Sequence, residues 1–513
     1  MTLRHGYFTG ANYVYGAHTE PFPDRLAFLS LLRSHRPPDL AGPFQVVELG
    51  CGQGFHLCLQ AANYPQAHFL GIDFHPDHIA HGRSLAASAG LANITFLQAD
   101  FLDLETSPPT ARGIDWGAVD IVVAHGILGW VPPAVGSSLL RLASQALRPG
   151  GLFYLSYNAL PGWLPAMPFQ HGVRSLQSRQ GDGLPALRAC QELFTALREA
   201  NAQLFTGQPA LASRLEGLAK FDPAYLLHEY NHSQWHPLYA NQVIEEAGER
   251  GLSFLGSATL ADNFDGVLPE AYRQLLRQQG DPGLRELVRD LLTNQSFRRD
   301  VYVNGLDPLW PRDAMAALER LQVLGLLDQE ARSAEGAFQF RLGFGEIQGN
   351  RDWFVAVMGL LADAPLSLAD LLARLPSPTP LPEVLQNLAL LLSRDALVLV
   401  PPARDPGPAH RFNAHLAARV AAGGPYRSLA CPLSGNLRSL NDIEMIALDA
   451  VLQGCGDADL GAAIGRGLAA LERQIQRDGQ PLGEPERSRE LEGVASRFLA
   501  RTLPPLRRLG ALP

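Results

Sequence analysis

The feature that most constrains the fold is a short apolar run that ends in an acid and leads into a glycine-rich turn. Residues 46–54 read VVELGCGQG, with Glu48 near the end of the apolar run. Glycine adopts left-handed backbone conformations at little cost and lets a ligand approach the main chain closely. The pattern predicts a strand, a turn and a helix that begins near Phe55. It places Glu48 at the carboxyl edge of a sheet, where open α/β sheets bind ligands.

Two further segments repeat this pattern of an apolar strand that ends in an acid. Residues 68–73 read HFLGID and residues 94–100 read ITFLQAD. In nucleotide-binding folds, an acid after the second strand accepts hydrogen bonds from a ribose diol. The predicted order is β-α-β-α-β, with Glu48, Asp73 and Asp100 closing successive strands.

A dinucleotide-binding turn is one alternative, because such a turn has the spacing GxGxxG. The glycines of this chain are Gly50, Gly52 and Gly54, and Leu57 occupies the position of the helix-packing third glycine. An ordinary α/β turn without a cofactor is the other alternative, but it gives no reason for three strand-terminal acids in order.

The segments ELGCGQG, GIDFHPDHI and NITFLQADF resemble the three S-adenosylmethionine motifs of class I methyltransferases. The resemblance implies that the glycine turn lies against the methionine part of S-adenosylmethionine. It also implies that the second acid binds the ribose hydroxyls and that the third contacts the adenine amine. The cofactor-binding residues that follow by position are Glu48, Gly50, Cys51, Gly52, Gly54, Asp73, Phe74, Asp100, Phe101 and His125. Within this set, we expect Cys51 to be a small packing residue rather than a nucleophile.

The remaining strands of such a sheet follow in order along the chain. A fourth strand is predicted over residues 119–123, a helix over 135–147 and a fifth strand over 152–157. A helix over residues 242–250 is followed by a glycine and an apolar run that suit the sixth strand. Residues 166–235 are therefore predicted to be an insertion that roofs the substrate pocket.

The expected fold class is α/β, a Rossmann-like seven-stranded class I methyltransferase sheet followed by mainly helical, winged-helix-like modules. A chain of 513 residues is too long for one core and divides into roughly three or four domains. The predicted units are residues 1–44 as an N-terminal aromatic lid and helix, 45–165 as the S-adenosylmethionine-binding core, 166–300 as a helical insertion and regulatory region that completes the sheet, 301–410 as a winged-helix-like module and 411–513 as a C-terminal helical module.

The segment before the first strand carries an unusual number of aromatic side chains. They are Tyr7, Phe8, Tyr13, Tyr15 and Phe22. One interpretation is that this segment leads into a helix over residues 24–33 that packs on the sheet. The other is a lid whose rings close over the cofactor, since aromatic faces attract a sulfonium cation.

Candidates for the acceptor side of the reaction follow the fourth and fifth strands. The catalytic candidates are His125, Trp130, Asn158 and Trp163. Methyl transfer needs the nucleophile, the carbon and the sulfur in line, with the attacking atom within roughly 3–3.5 Å of the carbon. His125 either serves the acceptor as a base or hydrogen-bonding post, or orders the loop and packs on the cofactor. In one interpretation, the Asn158 carbonyl accepts a hydrogen bond from an amino group and Trp163 forms a wall beside it. In the other, the two residues belong to a rigid turn.

Three histidines, His228, His232 and His236, are spaced four residues apart. This spacing suits a metal site only if the segment is helical, and no further ligand is evident. We therefore expect no metal and a substrate-side or lid role for this cluster.

Three later segments, AHGILGWVP, SYNALPGW and LLHEYN, resemble methyltransferases that carry a methyltransferase regulatory domain. Bacterial protein-lysine methyltransferases, including rickettsial enzymes, are similar. The resemblance implies methyl transfer, with a protein side chain such as lysine as the first choice of acceptor. A small-molecule or natural-product methyltransferase is the alternative, and a non-catalytic binding protein that keeps the cofactor fold is a second one.

Bulk properties argue against several other classes. The net charge is −9, so no strong basic field attracts nucleic acid. The five cysteines include no CxxC pair, which indicates a reducing compartment and no structural zinc. The amino terminus has no apolar core and no run of about 18 apolar residues occurs, so we expect no signal peptide, no membrane span and a cytoplasmic location.

Overall fold

The structure, a computed structural model, describes residues 15–180, 183–218, 226, 229–230, 232–477 and 480–513. Of the predicted aromatic lid and histidine cluster, Tyr7, Phe8, Tyr13 and His228 lie outside the described residues. The described chain forms a large sheet with flanking helices, a helical insertion and two smaller modules.

A seven-stranded sheet occupies the centre of the molecule. Its strands are β1 (Gln45–Leu49), β2 (His68–Asp73), β3 (Ile94–Gln98), β4 (Val119–His125), β5 (Leu147–Asn158), β6 (Leu252–Ser257) and β7 (Phe297–Asn304). The spatial order is β3-β2-β1-β4-β5-β7-β6. The first five strands pair in parallel, and β7 runs antiparallel to both of its neighbours. The predicted seven-stranded Rossmann-like sheet is confirmed.

Helices cover both faces of this sheet. The helices up to β6 are α1 (Pro23–Leu32), α2 (Phe55–Asn63), α3 (Pro76–Ser88), α4 (Phe101–Leu104), α5 (Pro133–Ala146), α6 (Met167–Gln180), α7 (Leu184–Glu199), α8 (Gln203–Gly207), α9 (Pro209–Leu218) and α10 (Ala240–Gly248). Val46 and Ile121 share one hydrophobic cluster with α1, α2 and α3, whereas Val47 and Val122 share another with α4, α5 and α10. The strands are apolar throughout because alternate side chains are buried on both faces.

Two strand boundaries differ from the sequence prediction. β3 ends at Gln98, and Asp100 instead begins α4, where its carboxylate accepts a hydrogen bond from the Leu102 amide at 3.1 Å. β5 begins at Leu147, which pairs with Val119 before the register shifts. Residues 148–151, which separate the predicted helix from the predicted fifth strand, are therefore part of β5, and the irregularity accommodates them in the sheet.

Helices α6 to α9 form an insertion between β5 and β6 with a core of its own. This core includes Trp163, Phe169, Phe194, Leu211 and Tyr230. It is separate from the two clusters on the sheet faces, so the insertion is a packed unit beside the carboxyl edge of β5.

The sheet is completed after two further helices, α11 (Glu270–Arg277) and α12 (Pro282–Thr293). The predicted boundary at residue 300 falls inside β7, which continues to Asn304. Val301 and Val303 are buried, because β7 is held between β5 and β6 and needs apolar side chains along its whole length.

The next module combines helices with a small antiparallel sheet. Its elements are α13 (Pro311–Glu319), β8 (Gln322–Gly325), α14 (Gln329–Ser333), β9 (Gln339–Leu342), β10 (Gly345–Gln348), α15 (Arg351–Leu360), β11 (Leu366–Ser367), α16 (Leu368–Arg374), α17 (Leu381–Ser393) and β12 (Leu397–Val400). The three-stranded sheet has the order β11-β8-β12, and β9 with β10 forms the predicted hairpin. Helices beside a small antiparallel sheet match the winged-helix-like expectation.

The last module is helical with short strands between its helices. Its elements are α18 (Gly407–Ala421), β13 (Ser428–Cys431), β14 (Asn436–Ser439), α19 (Asp442–Leu452), α20 (Leu460–Ala470), β15 (Gln476–Arg477), β16 (Gln480–Pro481), α21 (Glu486–Arg497) and α22 (Leu503–Arg508). The sequence predicts a helical module over residues 411–513, and the four short strands of the described chain are an addition to that expectation. Hairpin β13–β14 packs on α2, and this long-range contact has no local sequence signal.

One hydrophobic cluster joins the sheet to both downstream modules. It begins at Phe22 and continues to Leu512. The modules therefore share a core with the sheet, and removing them would expose apolar surface on α1 and α2. No helix in the described part of the chain is long and apolar enough to cross a membrane.

Candidate active site

The turn between β1 and α2 brings main chain to the carboxyl edge of the sheet. Gly50, Gly52 and Gly54 have φ values of 77°, 52° and 73°, which favour glycine. A Cβ on Gly50 would lie 2.5 Å from Ile127, and a Cβ on Gly54 would lie 2.4 Å from the Phe96 ring. For Gly52, no heavy atom of the described residues other than its two chain neighbours lies within 4 Å of that position. The turn is thus packed at both ends and open in the middle.

Two carboxylates lie at the ends of the neighbouring parallel strands β1 and β2. Both Glu48 and Asp73 are buried. The Gly52 amide donates to Asp73 Oδ2 at 2.9 Å, and the His75 amide donates to Asp73 Oδ1 at 2.8 Å. Asp73 therefore fixes the glycine turn and the start of α3 at the same time.

The third acid and the other predicted cofactor residues surround the same edge. Asp100 and Phe101 are buried at the start of α4, and the Phe101 ring lies 4.0 Å from the Cβ position of Gly50. Phe74 is half-buried. Burial raises the pKa of the Cys51 thiol well above its usual range, which agrees with a packing role.

Glu48 is a buried carboxyl group next to another acid. One of its oxygens, Oε2, has no hydrogen-bond partner among the described residues. Burial, with a further contribution from Asp73, raises the pKa of Glu48 to about 8. The group therefore holds a proton at neutral pH in the cofactor-free chain.

Replacing this acid is expected to change how stability depends on pH. Glu48→Gln should stabilise the cofactor-free chain by about 3–4 kcal/mol more at pH 8 than at pH 5. The folded pKa of Glu48 lies above its ordinary value of 4.5. The unfolded chain thus loses this proton first, and the native chain loses stability as pH rises from 4.5 to about 8. Denaturant unfolding at pH 5 to 8 measures the difference. The exposed Glu319→Gln on α13 is the control, and the same pH trend in both variants would contradict the assignment.

His125 lies at the end of β4, on the side of the edge away from β3. Its Nδ1 is 3.1 Å from the Tyr154 hydroxyl. Its ring stacks on His18, with centroids 3.7 Å apart and planes 18° from parallel. Burial, with His18 and His56 nearby, lowers the pKa of His125 well below its usual range. His125 is therefore a neutral imidazole at pH 7.

Two further histidines, His18 and His56, lie near His125 and were not predicted as site residues. His18 belongs to the segment before α1, and its amide lies 3.4 Å from Nδ1 of His56 on α2. Burial and then His18 lower the pKa of His56 to about 3. One interpretation of the aromatic residues among the first 22 is a lid over the cofactor. No sequence pattern pairs His18 with His125, which lies 107 residues further along the chain. Phe22 is buried against His56.

Asn158 closes β5 and anchors the loops that follow β4 and β5. It is buried, and its Nδ2 has no hydrogen-bond partner among the described residues. The backbone hydrogen bonds that join these loops to residues 236–238 and 295–296 are His236 N to Gly129 O (2.8 Å), Leu238 N to Asn158 O (3.0 Å), Ala159 N to Ser296 O (2.9 Å) and Gly162 N to Gln295 O (2.9 Å). The loops that carry the catalytic candidates are thus held jointly by the sheet and by the segments before α10 and β7.

The two tryptophan candidates pack on the helices of the insertion. Trp163 is buried in the core of α6 to α9, with the Arg214 guanidinium 3.7 Å above its ring. Trp130 is half-buried at the border of that core, with its ring centroid 5.6 Å from His232 and 6.4 Å from Trp235. The structure therefore places Trp163 in a packed turn, whereas Trp130 lies where the insertion meets the β4 loop.

The described part of the histidine cluster is not helical. His232 and His236 lie in an irregular segment, where His232 Nδ1 accepts a hydrogen bond from the Gln234 amide at 3.1 Å. His236 Nδ1 is 2.6 Å from the Gln234 carbonyl. Within the described ranges, no group of three or more histidine, cysteine or acidic side chains is arranged to hold a metal ion.

Comparisons with known families match two parts of the chain. A family model described as a methyltransferase domain matches residues 43–196. Another, described as a predicted methyltransferase regulatory domain, matches residues 222–304. The first range holds the glycine turn and the three acids, and the second holds the segments that tie the acceptor loops together.

Individual relatives extend this likeness. An uncharacterized protein of Synechocystis sp. is 32% identical over 99% of this chain and 100% of its own length. A Rickettsia prowazekii protein is 26% identical over 54% of this chain and 48% of its own length. A trans-aconitate 2-methyltransferase of Methylobacterium nodulans is 37% identical over 22% of this chain and 37% of its own length. Among solved structures, PKMT2 from Rickettsia typhi in complex with AdoHcy has the same fold, with a TM-score of 0.70, 19% identity and coverage of 98% of this chain and 99% of that chain.

Proposed function

Because this chain belongs to the S-adenosylmethionine-dependent class I methyltransferases that carry a methyltransferase regulatory domain, we propose that it methylates the amino group of a protein lysine. When bound, S-adenosylmethionine supplies an electrophilic methyl group. The chain's own residues hold this cofactor, position the acceptor and exclude water.

The carboxyl edge of the sheet has features that suit this cofactor. Glu48 has a buried oxygen without a partner among the described residues, and the turn at Gly52 is open. Asp73 presents its carboxylate beside the same turn. We infer that the glycine turn holds the methionine part and Asp73 the ribose hydroxyls. Asp100 and Phe101 then hold the adenine, as the resemblance implies.

The observation that carries the lysine proposal is the group of three histidines at the end of β4, in which His56 is buried and His18 and His125 are half-buried. An amine attacks carbon only in its neutral form, so a lysine acceptor needs an environment that lowers its pKa. Burial is the main cause that lowers the pKa values of His18 and His125. The same desolvation favours the neutral form of an amine placed beside them. The nitrogen lone pair then forms the new bond to carbon, the carbon–sulfur bond breaks, and the nitrogen releases one proton.

The parts of the chain outside the sheet support a protein acceptor. The acceptor loops are hydrogen-bonded to residues 236–238, which belong to the match with the regulatory-domain model. The likeness in fold to PKMT2 from Rickettsia typhi includes the downstream modules, because it covers 98% of this chain. A small metabolite does not require these additional modules.

A small-molecule acceptor is the second candidate. The observation that favours it is the 37% identity to a trans-aconitate 2-methyltransferase. That likeness covers 22% of this chain, so it leaves the insertion and both downstream modules without a role.

Incubation with methyl-labelled S-adenosylmethionine and cell extract is expected to place the label in protein. The labelled fraction should be destroyed by protease, survive nuclease and yield methyl-lysine on hydrolysis. The Asp73→Ala chain is the matched control, because it lacks the carboxylate beside the glycine turn.

Other distributions of the label would contradict the lysine proposal. Label extracted by organic solvent, or passing a small-molecule filter, would indicate a metabolite acceptor. Label on an amino acid other than lysine would still support a protein acceptor but would contradict lysine as the methylated residue. A chain that binds S-adenosylhomocysteine but labels no fraction would support the non-catalytic alternative.

A further inference from the structure

The C-terminal module reaches the cofactor turn through a single tyrosine. Tyr426 lies between α18 and β13 and is 4% exposed. Its hydroxyl is 2.9 Å from His81 Nε2, and His81 Nδ1 is 2.7 Å from the Gln53 carbonyl. The Tyr426 ring is also 5.0 Å from the ring of Phe55, the first residue of α2. The tyrosine thus contacts, directly or through His81, both residues that flank Gly54.

The direction of each hydrogen bond in this chain follows from its last member. A carbonyl oxygen only accepts, so His81 Nδ1 carries the hydrogen and donates to Gln53. Burial is the main cause that lowers the pKa of His81, so the ring is neutral at pH 7. Its Nε2 is therefore an acceptor, and the Tyr426 hydroxyl donates to it. The three groups form one ordered relay from the C-terminal module to the cofactor turn.

The relay anchors the middle of the glycine turn, where Gly52 has no side chain that could pack on neighbouring residues. Apart from its two chain neighbours, no described residue has a heavy atom within 4 Å of the Cβ position of Gly52. Its amide is held only at the Asp73 end by the bond at 2.9 Å. The bond from His81 anchors the Gln53 carbonyl, which belongs to the peptide between Gln53 and Gly54. The two anchors therefore hold the peptides on either side of the Gly52–Gln53 peptide and restrict the turn to the conformation that faces the cofactor.

The segment before α1 contacts the same relay. The Tyr15 ring is 5.1 Å from the His81 ring and 5.4 Å from the Tyr426 ring. Three residues later, His18 stacks on His125 at the acceptor side. One short segment therefore connects the relay with the acceptor end of the site.

We propose that Tyr426 and His81 are positioning residues for cofactor binding, through which the C-terminal module holds the glycine turn in its binding conformation. The proposal rests on the cofactor assignment and is independent of the acceptor. Neither residue needs to touch the cofactor, because each acts through the Gln53 carbonyl.

The test compares the affinity of full-length variants for S-adenosylhomocysteine by calorimetry. Tyr426→Phe removes only the hydroxyl and should raise the dissociation constant about 3- to 10-fold. The unfolding temperature of the cofactor-free chain should stay within about 2 °C of that of the unaltered chain. His415→Ala is the matched control, because the Nε2 of His415 lies 3.2 Å from the Ser88 hydroxyl and also joins the C-terminal module to α3, but it does not reach the turn. Its affinity should stay within about twofold.

A second pair of variants separates positioning from general packing. His81→Ala should weaken binding at least as much as Tyr426→Phe, and His81→Gln should restore part of the affinity because its amide still donates to Gln53. Unchanged affinity in Tyr426→Phe, or equal loss in Tyr426→Phe and His415→Ala, would overturn the proposal. If the unaltered chain binds no S-adenosylhomocysteine, the cofactor assignment falls and the proposal falls with it.

Discussion

Asp73→Ala is expected to weaken the binding of S-adenosylhomocysteine at least about 100-fold. The carboxylate is buried and accepts hydrogen bonds from the Gly52 and His75 amides. Alanine leaves both amides without this acceptor, so the glycine turn loses an anchor. It also removes the charged partner that the resemblance assigns to the ribose hydroxyls.

Calorimetry on full-length variants measures this effect, and two further variants sharpen it. Asp73→Asn keeps the shape but leaves one oxygen to accept, so its affinity should fall between those of the unaltered chain and Asp73→Ala. Asp77→Ala removes the same charge from the exposed first turn of α3 and should change affinity by no more than about threefold. A loss below threefold in Asp73→Ala would show that the acid after β2 does not bind the cofactor.

The position of Glu48 and Asp73 beside the glycine turn was predictable from sequence because it depends only on successive strand ends. Parallel strands place their carboxyl ends at one edge of a sheet. Residues that end neighbouring strands, such as Glu48 and Asp73, therefore meet without any knowledge of the remaining chain. The positive φ values of Gly50, Gly52 and Gly54 follow from the same turn.

The acceptor side was predictable only in part because it depends on contacts between distant segments. His125 was identified from its place after β4, but its stacking partner His18 comes from the segment before α1. Trp163 follows β5 as expected, yet the helices of the insertion enclose it. The Arg214 guanidinium, more than fifty residues downstream, lies over the Trp163 ring, and no local pattern indicates this contact.

The role of the last module was the least accessible to sequence reasoning. The separation between His81 and Tyr426 is 345 residues. Arg404 likewise pairs with Asp24 on α1 at 2.8 Å, and the Tyr64 hydroxyl at the end of α2 donates to the Gly435 carbonyl at 2.7 Å. These contacts tie the first and last parts of the chain together. A truncation at residue 300 is therefore an unsuitable test of the modules, because it would cut β7 and expose the shared core.

Arg298→Met is expected to destabilise the chain by about 3–5 kcal/mol. Arg298 on β7 is 4% exposed and lies within 2.9 Å of Glu286, Asp290 and Asp300. The Tyr157 hydroxyl also donates to Asp300, at 2.7 Å, which connects this cluster to β5. Methionine fills a similar volume but leaves the carboxylates without their cation in a buried site.

The pH dependence of this loss gives a second, independent check. Burial raises the pKa of Asp290 to about 7 despite the neighbouring arginine, and it also raises the pKa of Asp300. A carboxyl group whose pKa is raised in the folded chain lowers the free energy of unfolding as the pH rises above the group's ordinary pKa. Without Arg298, the pKa values of Asp290 and Asp300 rise further, so this loss of stability becomes larger. The deficit of Arg298→Met should therefore be larger at pH 8 than at pH 5.

Denaturant unfolding at pH 5 and pH 8 measures the loss of stability in Arg298→Met and in a matched surface variant. Arg36→Met removes an arginine from a pair with Asp307 at 2.9 Å, with the two side chains 60% and 45% exposed. The free energy of unfolding of Arg36→Met should fall by no more than about 1 kcal/mol at either pH, because water and salt screen an exposed ion pair. Equal losses in the two variants would mean that the buried cluster is solvated or neutral in solution. In that case β7 would be held in the sheet by its backbone hydrogen bonds and apolar side chains alone.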